Sequence, residues 1–322
     1  MKKIVFMAVA LMAFAVASAQ EDVVAAYNQS TEALKARNFA KAAELLEKVI
    51  ADGEESEDDT VLGCVENAKK NLPAAYQGMG AMSAAAAMKA QKPEDADAKF
   101  ADAIANLNKA VAKAKEFKNN TAAAKAGAML AKVYQAQGAS AFNGEDYAKA
   151  IEIFAKGYAA DPKNTDMAMN LAESYFKMDK YAEGMKVCEE VAALPSPKYD
   201  AAIAAAKEKM GQYTNNQVAK LQQANDFDGI IAMSETIADK ALAQRIAVQA
   251  YLLKKDYAKV IELGEAAAEA QTTDEDKSAV YYNLASAYNA KEMKDKAIAA
   301  FKKVTTEPYA TPAKAAVAEL SK

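Results

Sequence analysis

The sequence of 322 residues contains no histidine and no tryptophan. Histidine is the commonest general base and the commonest metal ligand, so its absence removes the usual basis for hydrolase and zinc chemistry. The sequence also has no Gly-x-Ser-x-Gly elbow, no Cys-x-x-Cys pair and no phosphate-binding glycine-rich loop. We therefore predict a protein that is not an enzyme and that has no catalytic residues, no cofactor and no metal ligands.

Arginine is nearly absent as well, because only Arg37 and Arg245 occur among the 40 basic residues. The lysines are scattered among acidic residues, and the 44 acidic residues outnumber all the basic ones. This pattern favours neither contacts to a phosphate backbone nor bidentate contacts to bases. We expect no nucleic acid among the partners.

Long apolar runs are restricted to the N-terminus. Lys2 and Lys3 precede the apolar run from Ile4 to Val16, and Ala17-Ser18-Ala19 follows it. A run of this length is too short to span a bilayer core of about 30 Å, but it is typical of a signal peptide. We predict a signal peptide over residues 1–19, cut after Ala19, and a folded domain over residues 20–322. The product would be periplasmic or secreted, with no membrane span once the signal is removed, and Gln20 after the small residues resembles the export signals of Bacteroidetes-type bacteria.

One unit is repeated in the middle of the chain. Tyr147-Ala148-Lys149-Ala150 recurs 34 positions later as Tyr181-Ala182-Glu183-Gly184, and the same offset carries Gly138 onto Ala172 and Phe154 onto Cys188. The small residues predict that two helices of a hairpin approach closely, with the large residues beside that contact. Pro162 and Pro195 each predict the end of a second helix, because proline cannot continue it.

This pattern of small and large residues resembles the tetratricopeptide repeat. The resemblance extends over nearly all of Val23 to Pro308. It implies an all-α, right-handed α-solenoid of about seven helical hairpins, with the tail from Thr311 to Lys322 as a C-terminal capping helix. Each repeat of such a solenoid contacts only its neighbours, so Cys64 and Cys188 are expected to lie too far apart for a disulfide.

Several segments depart from the standard unit. The acidic stretch from Ala51 to Thr60 is expected to be an exposed connector, and its spacing does not match a calcium loop. The next hairpin is predicted from Val61 to Lys92, with a bend or break at Pro73, and from Asp97 to Phe117, ended by Asn119-Asn120. Its extra residues around Lys89 to Asp97 either lengthen both helices or fill the turn. A long alanine-rich helix is predicted from Tyr199 to Ala224, followed by a short one.

The resemblance also implies a site, because the first helix of each tetratricopeptide repeat lines a concave groove that binds proteins or peptides. Phe176 and Tyr282 are expected to be exposed anchors in that groove, although each could instead pack against a neighbouring repeat. The groove positions correspond here to Met169, Glu173, Phe176, Arg245, Gln249, Leu252, Tyr282, Ser286 and Asn289.

The resemblance therefore favours a protein-protein interaction scaffold, such as an adaptor or assembly factor. The alternative is a soluble protein that binds glycan or cell-wall fragments, with Phe176 or Tyr282 as a stacking surface. In addition, Asp59-Thr60-Val61 resembles an O-glycosylation acceptor of exported Bacteroidetes proteins, which makes Thr60 a possible modification site.

Overall fold

The computed structural model describes residues 20–322, where all regular secondary structure is helical. The predicted signal peptide and its cleavage site lie outside the described residues. No described helix is both long enough and apolar enough to cross a membrane. Helix α1 covers residues 20–35, and the remaining helices are α2 (Phe39–Gly53), α3 (Asp59–Ala87), α4 (Pro93–Glu116), α5 (Asn120–Asn143), α6 (Tyr147–Ala160), α7 (Thr165–Lys177), α8 (Tyr181–Ala192), α9 (Asp200–Gln223), α10 (Phe227–Glu235), α11 (Lys240–Leu253), α12 (Tyr257–Glu269), α13 (Asp274–Ala290), α14 (Lys294–Lys302) and α15 (Ala310–Leu320).

The helices form seven successive pairs followed by α15. Within the pairs, for example, α7 packs on α8 and α13 packs on α14. The first helices of neighbouring pairs also contact each other, since α5 contacts α7 and α11 contacts α13. The predicted all-α array of about seven hairpins is therefore confirmed for residues 20–322. The chain divides into two compact units. The first unit ends at Met210 and the second begins at Gly211, so the boundary lies within α9.

The turns within the pairs follow a common pattern. Six of the seven contain a residue with a φ between 54° and 63°, namely Arg37, Glu145, Asp179, Asn225, Lys255 and Glu292. This left-handed conformation is unfavourable for residues other than glycine by roughly 1–2 kcal/mol, yet no described glycine has a positive φ. In four turns the next residue is Asn or Asp, and its side chain accepts a hydrogen bond from a backbone N–H in the first turn of the second helix. The turn between α3 and α4 is the exception.

Paired helices approach closely at the small residues, as predicted. A Cβ atom added to Gly138 of α5 would lie 2.5 Å from Cε1 of Phe154 in α6, and one added to Gly80 of α3 would lie 2.6 Å from Cγ of Leu107 in α4. The side chains of Ala150 and Ala172 are fully buried. These contacts confirm the predicted close approach of the paired helices.

The acidic connector is shorter than predicted. Helix α2 continues to Gly53 and α3 begins at Asp59, so only residues 54–58 connect them. The carboxylate of Asp58 accepts hydrogen bonds from the backbone N–H groups of Thr60 and Val61. Because Asp58 caps α3 in this way, Thr60 lies in the first helical turn and not in the connector, although it is exposed.

The second hairpin is long because both of its helices are extended. Helices α3 and α4 contain 29 and 24 residues, and only residues 88–92 separate them. Helix α4 begins at Pro93 and not at Asp97, because proline is favoured at the first position of a helix. Pro73 does not divide α3, which is assigned as one helix. Asn119 does not end α4 but caps α5 by accepting a hydrogen bond from the N–H of Ala122.

The remaining predicted elements are present. Helix α6 ends at Ala160, directly before Asp161-Pro162, and α8 ends at Ala192, before Pro195. Helix α9 is long and α10 short, as predicted. In the second unit α15 covers the apolar cluster of the last hairpin with Ala313, Val317 and Leu320. Cys64 and Cys188 are both free and buried.

Candidate protein-binding groove

The predicted groove residues lie on three first helices, which belong to two different units. Met169, Glu173 and Phe176 are on α7 in the first unit. Arg245, Gln249 and Leu252 are on α11, and Tyr282, Ser286 and Asn289 are on α13, both in the second unit.

In the first unit a cleft of about 370 Å³ opens between α7 and the start of α9. Its floor consists of Met169 and three alanines of α9, whose side chains end at Cβ and so leave the space unfilled. Charged and aromatic groups border it, and the ammonium of Lys198 lies 5.0 Å from the ring centroid of Tyr199. The residues that line the cleft are Thr165, Asp166, Met169, Lys198, Tyr199, Ala201, Ala202 and Ala205.

Glu173 lies one helical turn beyond Met169 and forms an ion pair with Lys209 of α9. About a quarter of each side chain is exposed, 23% for Glu173 and 27% for Lys209. The pair joins the first helices of two successive hairpins. The charge of Glu173 is thus compensated within the protein.

Phe176 is not an exposed anchor, and that prediction is wrong. Only 7% of Phe176 is exposed, and a Cβ atom added to Gly184 of α8 would lie 2.6 Å from its ring. Its ring centroid is also 6.2 Å from that of Tyr181. Phe142 and Tyr147, 34 positions earlier, form the same kind of pair at 5.2 Å. Phe176 therefore belongs to the core of its hairpin and offers no surface on which a sugar could stack.

Tyr282 is partly buried within an aromatic cluster of the second unit. Its ring centroid lies 5.5 Å from that of Phe301 and 5.6 Å from that of Tyr309, on the chain segment that leads into α15. The hydroxyl of Ser286 donates a hydrogen bond of 2.8 Å to the backbone carbonyl of Tyr282. Tyr282 therefore packs largely against its own repeats, which was the alternative to its role as an anchor.

The other groove positions of the second unit are mixed. Nε of Arg245 lies 3.2 Å from Oδ1 of Asp276 on α13, so this arginine is part of an ion pair between two first helices. Leu252 packs against the C-terminal apolar cluster, and Gln249 is partly exposed. Among these positions of the second unit, only Asn289 is exposed.

The middle of the chain is similar in sequence to a known protein family. Residues 143–210 match the family model of the tetratricopeptide repeat. This segment of the chain is therefore similar to the tetratricopeptide repeat. The matched segment includes α6, α7, α8 and the first part of α9, and the cleft lined by Met169 lies wholly within it.

Solved structures similar to this chain include tetratricopeptide repeat proteins. The P58(IPK) TPR domain is 12% identical, with 93% of this chain and 97% of that chain covered and a TM-score of 0.31. The complex of the TPR2AB domain of yeast Sti1 with pHSP90 is 14% identical, with coverages of 93% and 98% and a TM-score of 0.31. A tetratricopeptide repeat protein from Parabacteroides merdae ATCC 43184 is 9% identical, with coverages of 95% and 100% and a TM-score of 0.22. No curated protein matches the sequence.

Seven of the eight residues that line the cleft were not predicted, because only Met169 was among the predicted groove positions. Thr165 and Asp166 begin α7, whereas Lys198 and Tyr199 directly precede α9. Their positions in the groove depend on how the start of α9 packs beside α7. The alanine-rich start of α9 was a signal for the cleft, because alanine side chains leave space that larger side chains would fill.

Two features of the described residues bear on chemistry, namely the absence of a metal-binding cluster and the burial of both thiols. Residues 20–322 include no cluster of three or more side chains that could hold a metal ion. Burial raises the pKa of the Cys188 thiol to about 11, and burial also raises the pKa of Cys64. A thiol with a raised pKa is protonated at neutral pH and is a weak nucleophile.

Proposed function

We propose that this protein is a non-catalytic scaffold, an adaptor or assembly factor that binds a peptide or a partner helix along the first helices of its tetratricopeptide repeats. We further propose that it acts in the periplasm or outside the cell. The export part of this proposal is supported by the pattern of residues 1–19 in the sequence.

The observation that carries the proposal is the cleft between α7 and α9. It is open to solvent, it lies within the segment that matches the tetratricopeptide family, and the predicted groove residue Met169 forms part of its floor. Its volume of about 370 Å³ is at the lower end of the range of roughly 300–1,000 Å³ that is usual for ligand sites. This size suits one or two side chains of a bound segment.

The chemistry of the cleft floor supports a protein ligand. The methyl groups of Ala201, Ala202 and Ala205 and the thioether of Met169 provide apolar contacts but no strong hydrogen-bonding group. Such a floor fits an aliphatic or aromatic side chain. The donors and acceptors that a sugar would require for its hydroxyl groups are supplied in this cleft by Thr165, Asp166, Lys198 and Tyr199, and not by Met169 or the alanines.

The test is to fill the cleft with a tryptophan side chain. Ala205 lines the cleft, whereas the neighbouring Ala204 is also exposed on α9 but does not line it. Partners are captured from the envelope of the native host by cross-linking to wild type, Ala205→Trp and Ala204→Trp. We expect a partner that is bound by wild type and by Ala204→Trp and is lost with Ala205→Trp.

Melting temperatures of the three proteins must agree for this comparison to report on binding. If the partner is retained by Ala205→Trp, the cleft is not the binding site. If sugar fragments raise the melting temperature and no protein partner is captured, the protein is a glycan-binding protein and not a scaffold.

A further inference from the structure

We propose that the cleft between α7 and α9 selects a partner segment in which one large apolar side chain stands between a basic and an acidic residue. This inference rests on the proposed scaffold function and names the chemistry of its ligand. Its grounds are the apolar floor of the cleft and two charges that form no ion pair, one from α7 and one from the segment before α9.

The two charges come from different elements. Asp166 lies in the first turn of α7, and Lys198 directly precedes Tyr199 and α9. Both line the same cleft, and both residues are exposed. A segment that inserts a side chain onto the alanine floor therefore lies near both a carboxylate and an ammonium group.

Neither charge is paired with a side chain of opposite charge. Across residues 20–322, Asp166 and Lys198 take part in no ion pair, whereas the neighbouring Glu173 and Lys209 are paired with each other. The ammonium of Lys198 is instead held over the ring of Tyr199, 5.0 Å from its centroid. Cation–π contact fixes its position but leaves its charge available to a partner.

The absence of ion pairs at Asp166 and Lys198 determines which peptide segments the cleft can bind. A bound segment covers both charges and removes part of their water, which is unfavourable unless the segment supplies opposite charges. A segment with a basic group near Asp166 and an acidic group near Lys198 meets this condition, and like charges at either position are rejected. The order of the two charges along the segment depends on its direction in the groove, and one direction should predominate.

The experiment selects binders from a phage library of random 12-residue peptides. The targets are wild type and the double variant Asp166→Lys/Lys198→Glu, which exchanges the two charges and keeps the net charge. A matched control is Glu183→Lys/Lys186→Glu on α8, where both residues are exposed and neither lines the cleft. Peptides bound by Ala205→Trp are subtracted from each pool.

Wild type should enrich peptides with a large apolar residue flanked by one basic and one acidic residue in a preferred order. The exchanged variant should enrich the opposite order, and the control should enrich the same order as wild type. A synthetic peptide from the wild-type pool should bind the exchanged variant at least about tenfold more weakly, which corresponds to about 1.4 kcal/mol.

The two possible failures are distinct. If apolar peptides are enriched but the charge order is the same for wild type and the exchanged variant, the charge selection is wrong while the scaffold function stands. If no peptide is enriched over those that bind Ala205→Trp, neither the charge selection nor peptide binding at this cleft is supported, and both proposals fall.

Discussion

Two glycines of α5 differ in the space that is available for an added side chain. A Cβ atom at Gly138 would lie 2.5 Å from the ring of Phe154, whereas a Cβ atom at Gly127 would have nothing within 4 Å. Phe154 is fully buried, so its ring has little room to move. The same substitution at these two positions is therefore expected to have opposite effects.

We predict that Gly138→Ala lowers the free energy of unfolding by about 1–3 kcal/mol, because overpacking outweighs the gain in helix propensity. Gly127→Ala should raise it by roughly 0.5–1 kcal/mol, because alanine loses less conformational entropy in a helix than glycine does. Urea titrations followed by circular dichroism measure both. If Gly138→Ala is as stable as Gly127→Ala, the close contact of α5 and α6 is wrong.

The residue scale also shows why Phe176 was misplaced. Its spacing along α7 placed it among the predicted groove positions. Exposure, however, depends on the facing helix, where Gly184 has no side chain and leaves space for the ring. The sequence showed both residues but not that one fills the space left by the other.

At the scale of helices, two tyrosines join neighbouring elements through hydrogen bonds to glutamates. The hydroxyl of Tyr76 in α3 donates to Glu47 of α2 at 2.6 Å, and that of Tyr158 in α6 donates to Glu190 of α8 at 3.1 Å. Burial, followed by the hydrogen bond to the glutamate, raises the pKa of each tyrosine to about 12.

These shifts determine how alkaline pH acts on stability. The folded pKa of about 12 lies above the value of about 10 for an unfolded tyrosine. The contribution of the two protonated tyrosines to the free energy of unfolding is therefore complete below pH 10 and is lost as the pH rises toward 12. We predict that Tyr76→Phe/Tyr158→Phe is less stable than wild type at pH 9 and that the difference shrinks at pH 11.

Melting temperatures of both proteins at pH 9 and pH 11 test this prediction. Lysine deprotonation affects the two proteins alike, so the difference between them isolates the tyrosines. A difference that is the same at the two pH values would show that these hydroxyls do not keep their protons in the folded state as described.

The elements themselves were largely predictable. The 34-residue offset, the prolines after α6 and α8 and the alanine-rich α9 gave most helices within a few residues. The capping roles of Asp58 and Asn119 were not predicted, because an Asp or Asn in a polar stretch can either cap a helix or belong to a loop. Only the position of the backbone N–H groups decides between these roles.

At the scale of the molecule, the chain forms two compact units, with the boundary between Met210 and Gly211. In repeat arrays, stability is approximately a sum over repeats and their interfaces with nearest neighbours. We predict that thermal unfolding is not a single two-state transition. The calorimetric enthalpy should exceed the van't Hoff enthalpy.

Gly138→Ala provides the matched test, since Gly138 lies in the first unit. In scanning calorimetry this variant should shift only part of the heat absorption to lower temperature, and the part that belongs to residues 211–322 should stay in place. A single transition that moves as a whole would contradict independent unfolding of the two units.

The sequence by itself determined the helical hairpins, their number and the positions at which small residues allow close contact. These features depend on local spacing, which a periodic pattern of small and large side chains records directly. Tertiary structure decided which groove positions are exposed, because exposure depends on the helix that faces each residue. It alone brought Asp166 and Lys198, 32 positions apart in sequence, to the walls of one cleft above the alanines of α9.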